Sequence, residues 1–163
     1  MSAVQTVRAH VGLGSNLGDR RANVGRALDL LAGAPGVAVA AVSALYETPP
    51  WGFREQAPFL NAVAALDTSL GPRQLLVVLK SFEARIGRRP TFRWGPRVVD
   101  LDLLLYGDLA LSRRGLTLPH PAMLERAFVL IPLADVYPEF RSPDGRSLDS
   151  LIAALDLAGI RRI

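Results

Sequence analysis

Apolar and polar positions alternate most regularly between Val98 and Tyr106, where Val99, Leu101, Leu103 and Leu105 interleave with Val98, Asp100, Asp102 and Leu104. A period of two is the signature of a strand with one buried face, so a strand is predicted here with Asp100 and Asp102 together on its other side. Two stretches carry the longer helical period instead. Over Asp19 to Ala32 the apolar positions are Val24, Ala27, Leu28 and Leu31, with Asp19 placed to cap the first turn. From Pro72 the stripe is Leu75, Leu79, Phe82 and Ile86, with proline suited to the first turn and Gly87 to the stop. Thr6 to Gly12, Val37 to Tyr46 and Phe59 to Leu66 read as further strands, the last two separated by a long loop from Thr48 to Pro58.

The order β-α-β-β-α-β is that of the ferredoxin-like, split βαβ arrangement, an α+β fold with an antiparallel sheet covered by helices on one face. Beyond this core a C-terminal extension is predicted: strand within Leu109 to Leu118, helical turns within Pro121 to Asp135, and a short helix over Leu148 to Leu155. At 163 residues, half of them hydrophobic, and without repeats, linkers or low-complexity tracts, the chain fits one domain over 1–163.

Composition narrows the chemistry. The absence of cysteine excludes disulfides, Cys-ligated zinc and thiol catalysis. Residues 1–8 show no basic region followed by an apolar core, and no apolar run approaches the ~18 residues of a membrane span, so the expectation is a cytoplasmic protein. A net charge of +4 and a pI near 10.3 favour anionic partners. Lys80 is the only lysine, so the positive charge is carried by arginine, which reads phosphate in planar, bidentate fashion.

Residues i and i+2 of a strand lie about 6.5 Å apart, so Asp100 and Asp102 can converge on cations held between them and a polyphosphate. Oxygen-only ligands suit magnesium, which leaves the rest of its octahedron to phosphate and water. An isolated Asp-x-Asp is more often the solvated face of an edge strand. Here Arg85, Arg88, Arg89, Arg93 and Arg97 precede it, and the turn Trp94-Gly95-Pro96 fixes the backbone entering the strand.

Gly12-Leu13-Gly14-Ser15-Asn16-Leu17-Gly18 resembles a dinucleotide fingerprint. Its third glycine falls one place late, no acid follows about 20 residues on, and no Gly-Lys-Ser/Thr occurs, so it reads as a tight turn with local hydrogen bonds from Ser15 and Asn16. The Thr48 to Pro58 loop carries Trp51 and Phe53. With Phe59 and Phe128 these can sandwich a flat heterocycle whose edge meets the amide of Asn61, although Phe59 and Phe128 also suit a core. His120 is held between Pro119 and Pro121.

Taken together, Gly14-Ser15-Asn16-Leu17, Tyr46-Glu47-Thr48-Pro49-Pro50, Phe59-Leu60-Asn61, the Arg93 to Asp102 segment, Leu118-Pro119-His120-Pro121 and Arg126-Ala127-Phe128 resemble the 6-hydroxymethyl-7,8-dihydropterin pyrophosphokinases of folate synthesis, nearly end to end. The resemblance implies an ATP- and magnesium-dependent enzyme that moves pyrophosphate from ATP to the hydroxymethyl group of the pterin and releases AMP. It makes Asp100 and Asp102 ligands of two magnesium ions. It assigns Arg93 and Arg97, with either Arg88 or Arg89, to catalysis, and gives the nucleotide Glu83, Trp94, Arg97, His120 and Arg126. The pterin would be lined by Thr48, Pro49, Trp51, Phe59, Asn61 and Phe128. Closure of the Thr48 to Pro58 and Gly87 to Trp94 loops would exclude water. The partners implied are the two small substrates, without nucleic acid or membrane, on a monomer or weak homodimer. Two rivals stand beside this reading: a basic ferredoxin-like RNA-binding module, and a regulatory module that only binds a nucleotide. Against the first, such modules carry aromatics where this chain offers Asp100, Asp102 and Asn61.

Overall fold

The computed structural model describes residues 4–50, 54–87, 93 and 95–163. Its main sheet holds six strands, β1 (Val7–Ser15), β2 (Val37–Val42), β3 (Tyr46–Thr48), β4 (Phe59–Thr68), β5 (Asp100–Tyr106) and β8 (Arg161–Arg162). The order is β5-β1-β4-β3-β8, with β2 also beside β4, and every pairing is antiparallel. This is the expected ferredoxin-like α+β core. A separate hairpin joins β6 (Leu111–Arg113) to β7 (Leu116–Leu118).

The two helices form where the apolar stripes place them. In α1 (Arg20–Gly33) the Asp19 carboxylate accepts from the Ala22 N–H, and Val24, Ala27 and Leu31 are buried. In α2 (Pro72–Ile86) Leu75, Leu79, Phe82 and Ile86 are buried, and Gly87 ends the helix at φ 118°, a left-handed conformation that costs glycine little. Both helices pack with Ala9, Val11, Leu13, Leu60, Ala64, Leu66, Leu101 and Leu103 in one core.

The opposite face is not left bare, which corrects the expectation of helices on one side only. A 3-10 turn (Met123–Glu125), α3 (Ala127–Val136) and α4 (Leu148–Ala153) cover part of it, packing with Val63, Leu104 and Leu105 in a second core. The physical reason is a register shift between His10 and Val11, where Leu104 has no cross-strand partner, so Leu104 and Leu105 both reach this face. The strict alternation read for Leu105 therefore ends one residue early. Among the described residues no helix is long and apolar enough to cross a membrane.

Three further boundaries differ from the periodicity. The Val37 to Tyr46 stretch is two strands, because the Ser43 hydroxyl donates to Ala44 O and accepts from Val63 N–H, while Asp135 accepts from Ala44 N–H; these contacts bend the chain out of the ladder. The Leu109 to Leu118 stretch turns back on itself at Gly115 as the β6-β7 hairpin. Finally, β1 runs on to Ser15, so Gly12 and Gly14 are strand residues and not a turn.

Candidate active site

The strand β1 lies between β4 and β5, and two of its glycines set the floor of a cavity. Gly12 stands opposite Asp102 on one side and Val63 on the other; Gly14 stands opposite Asp100 and Asn61. Because side chains alternate along each strand, the acids and Asn61 rise from the same face and flank a track with no side chains of its own. A Cβ at Gly14 would meet Asn61 Oδ1 at 2.9 Å, inside normal contact, so only glycine leaves Asn61 where it is. The resulting cavity holds about 250 Å³ and is bounded by Thr48, Pro49, Phe59, Asn61, Arg97, Asp100, Asp102, His120, Arg126 and Phe128, together with both glycines.

On the β3-β4 side, Asn61 Nδ2 donates to Thr48 Oγ1 at 2.5 Å, and both residues are buried. That bond fixes the amide's orientation and uses one of its two N–H groups, leaving its carbonyl oxygen and the other N–H for a ligand edge. Phe59 and Phe128 supply apolar ring surface at the same cavity. The Arg126 guanidinium carbon sits 5.6 Å from the centre of the Phe128 ring, a cation-π distance that places positive charge beside an aromatic wall.

On the β5 side the electrostatics call for a cation. Burial and then the neighbouring Asp100 push the Asp102 carboxyl up to about 7; Lys80 and Arg126 oppose the shift, while Glu83 adds to it. No hydrogen bond reaches the Asp102 carboxylate among the described residues. Two carboxylates held on one face of a strand, one of them disfavoured as a bare anion, form a hard-oxygen donor set of the kind magnesium accepts. His120 lies close by, its N–H bonded to Leu104 O at 2.9 Å and its Nδ1 accepting from Ala122 N–H at 3.3 Å. Burial, and next Arg126, lower its pKa, with Asp100 opposing.

The strand bearing the acids is held at both edges. Its inner edge pairs with β1; at its outer edge Glu83 accepts from Leu101 N–H at 2.7 Å and Lys80 Nζ donates to Leu101 O at 3.1 Å. Asn16 performs a similar service for Arg97. Its N–H donates to Arg97 O at 3.0 Å, its Oδ1 accepts from Arg97 N–H at 2.7 Å, and its Nδ2 donates to Gln56 Oε1 and Ala57 O, each at 2.9 Å. One buried side chain thereby joins the segment before β5 to the loop before β4.

The structure gathers ten of the residues picked from sequence: Thr48, Pro49, Phe59, Asn61, Arg97, Asp100, Asp102, His120, Arg126 and Phe128. Two fall elsewhere. Glu83, expected on the nucleotide, is buried behind β5 and bound to Leu101, with Lys80 3.3 Å away, because α2 packs on the face opposite the cavity. Arg93 is exposed and does not line the cavity. Trp51, Arg88, Arg89 and Trp94 lie outside the described residues. Gly12, Gly14 and Asn16 were missed as functional positions. The signal for the glycines was present, since two glycines at i and i+2 directly after an apolar strand start mark a face where something must approach the backbone. Asn16 makes long-range bonds that no local pattern announces.

Comparison with known proteins places the chain in a family. Residues 10–138 match the family model described as 7,8-dihydro-6-hydroxymethylpterin-pyrophosphokinase (HPPK). The chain is 48% identical over 156 residues to the 2-amino-4-hydroxy-6-hydroxymethyldihydropteridine pyrophosphokinase of Methylorubrum extorquens, covering 96% of this chain and 98% of that one. It is 47% identical over 156 residues to the enzyme of the same name from Pseudomonas aeruginosa, covering 96% of each. In fold it resembles the crystal structure of wild-type Plasmodium falciparum HPPK-DHPS with pteroate, with a TM-score of 0.72 at 15% identity; the match covers 94% of this chain and 43% of that longer one.

Proposed function

The chain belongs to the 7,8-dihydro-6-hydroxymethylpterin-pyrophosphokinase family, and from that premise we propose that the cavity over Gly12 and Gly14 is where ATP, magnesium and the pterin meet. The function is transfer of pyrophosphate from ATP to the hydroxymethyl group of 6-hydroxymethyl-7,8-dihydropterin, in folate biosynthesis. The observation that carries the assignment of the site is that the acid pair and the Thr48–Asn61 pair flank one glycine floor.

In this reading Asn61, its orientation fixed by Thr48, hydrogen-bonds the pterin edge, and Phe59 and Phe128 hold the ring plane. Pro49 closes the pocket, as would Trp51. Arg97, His120 and Arg126 hold the triphosphate, the first kept in place by Asn16. Asp100 and Asp102 are the magnesium ligands, two ions being expected; bound magnesium supplies charge neutralisation on the phosphates. Arg93 and either Arg88 or Arg89, with Trp94, are proposed to complete the nucleotide side. The residues thus orient the hydroxymethyl oxygen toward the β-phosphorus of ATP, in line with the bond to the α-phosphate. The new O–P bond forms as that bond breaks, the hydroxyl proton passes to Asp102 or to solvent, and AMP departs. Glu83 clamps the Leu101 backbone at the outer edge of β5, and its service to the nucleotide is proposed to run through that strand. We place the enzyme in the cytoplasm as a monomer or weak homodimer.

The RNA-binding alternative has no support: the sheet presents carboxylates and an amide where such a module presents aromatics. The decisive assay is AMP formation dependent on both magnesium and the pterin alcohol. Asp102→Ala is expected to lose most turnover with the fold intact, and near-normal turnover at saturating magnesium would overturn the assignment.

A further inference from the structure

The wall that carries Thr48 and Pro49 is short. The three residues of β3 pair with β4 through Tyr46, Glu47 and Thr48, and the chain leaves the sheet at once into the loop that returns at Pro58. A strand this short is weakly held by one neighbour. Its other edge is taken by β8, with Glu47 opposite Arg161 and Tyr46 opposite Arg162, and Ile163 N–H donates to Leu45 O at 2.9 Å.

Side chains reinforce the pairing on the face away from the cavity. Glu47 accepts from Arg161 Nη2 at 2.9 Å through one oxygen and from Arg20 Nη2 at 2.8 Å through the other. The same Arg20 donates from Nη1 to Pro58 O at 3.0 Å, so the charge network spans both ends of the Pro49 to Pro58 loop. A second contact is independent of charge. Gly159 sits at φ 80°, and a Cβ there would lie 2.7 Å from Pro49 Cγ, so the backbone of this segment is pressed against a residue that lines the cavity.

We propose that the segment Gly159 to Ile163 is the outer buttress of the pterin wall, and that Arg161 and Gly159 are positioning residues that set pterin affinity through Glu47 and Pro49 without touching the substrate. The proposal rests on the reading of the Thr48–Asn61 side as the pterin side. It separates the two substrates: the acids, His120 and Arg126 are carried by other elements, and Arg97 is tied to the buttressed loop only indirectly, through Asn16, so the buttress acts far more on pterin affinity than on nucleotide affinity.

The test uses the full chain and its Arg161→Ala, Arg161→Lys and Gly159→Ala variants. Pterin affinity is measured by fluorescence, magnesium–ATP-analogue affinity by calorimetry, and turnover at saturating substrates. For Arg161→Ala, losing an exposed ion pair raises the pterin Kd about two- to fivefold, and Arg161→Lys restores most of it. For Gly159→Ala, left-handed strain and the clash with Pro49 raise it roughly tenfold. In all three the nucleotide Kd and kcat stay within about twofold of the parent. Equal pterin Kd in parent and variants overturns the inference alone, as does a parallel loss of nucleotide affinity, which would mark general unfolding. Failure of the parent to bind pterin overturns the reading of the cavity and the inference with it.

Discussion

Replacing Asp102 by asparagine should stabilise the ligand-free protein at alkaline pH while removing its function. In the metal-free fold, burial and Asp100 raise this carboxyl from 3.8 to about 7. Between those values the folded chain binds a proton that the unfolded chain has released, so this group's contribution to stability is full below about pH 4 and is lost as pH rises through 7. That rise, from 3.8 to about 7, corresponds to about 4 kcal/mol. The carboxylate lines the cavity and is only partly buried, and screening there reduces the expected loss to about 2 kcal/mol. For a chain of this size that is a fall in Tm of about 4–8 °C. The assay is denaturant unfolding at pH 5 and pH 8 with a chelator present, for parent and Asp102→Asn. Taking the difference between the proteins cancels the titrating groups remote from the acid pair, including His10, whose slope runs the opposite way, and leaves the titration of the pair. Between pH 5 and pH 8 the variant's pH dependence should be flatter by about 1 kcal/mol, the rest of the change falling below pH 5, and magnesium with an ATP analogue should stabilise the parent only. Parallel pH profiles, or a variant less stable than the parent at pH 8, would refute the electrostatic account of the acid pair.

The other predictions address the floor, the amide and the second core. Asn61→Ala removes a buried donor and acceptor and leaves the Thr48 hydroxyl without its partner; pterin affinity should fall about 10- to 100-fold, from roughly 1–3 kcal/mol, with nucleotide affinity unchanged by calorimetry. Gly14→Ala puts a methyl 2.9 Å from Asn61 Oδ1, so pterin binding followed by fluorescence should weaken at least as much as any loss in Tm; unchanged binding would show that the amide need not be fixed. His10 is buried against the Tyr137 ring at 4.9 Å, and burial, then Arg8, lowers its pKa to about 4, with Glu139 opposing. Its folded pKa lies below its unfolded one, so stability is lost as pH falls from 6.5 toward 4, by up to about 3 kcal/mol. His10→Phe, which keeps a ring on Tyr137, should abolish that loss in acid denaturation, and an unaltered acid transition would count against it.

Much of the site was legible because strand periodicity is a local property. Alternation around Asp100 and Asp102 put both carboxylates on one face before any fold was known, and the stripes of α1 and α2 located the helices that bury the opposite face. Glu83 shows where that reasoning ends. Its place on α2 is legible from sequence, but which side of β5 the helix covers depends on how the sheet is packed, and that packing makes Glu83 a backbone clamp on Leu101. The glycine-rich stretch after the first strand failed for a related reason. Glycine locally favours a turn, yet pairing on both sides by β4 and β5 extends β1 through Ser15.

By itself the order of residues determined which side chains share a face, where helices start and stop, and that an acidic pair follows an arginine-rich segment. Tertiary structure alone decided that the acids and Asn61 stand across Gly12 and Gly14, that Asn16 joins two loops, and that Arg161 supports a wall 114 residues away in sequence. The reason is physical: hydrogen bonding and alternation act between neighbours along the chain, whereas a cavity exists only where distant strands, each blind to the others in sequence, are brought into register by burial of a common core.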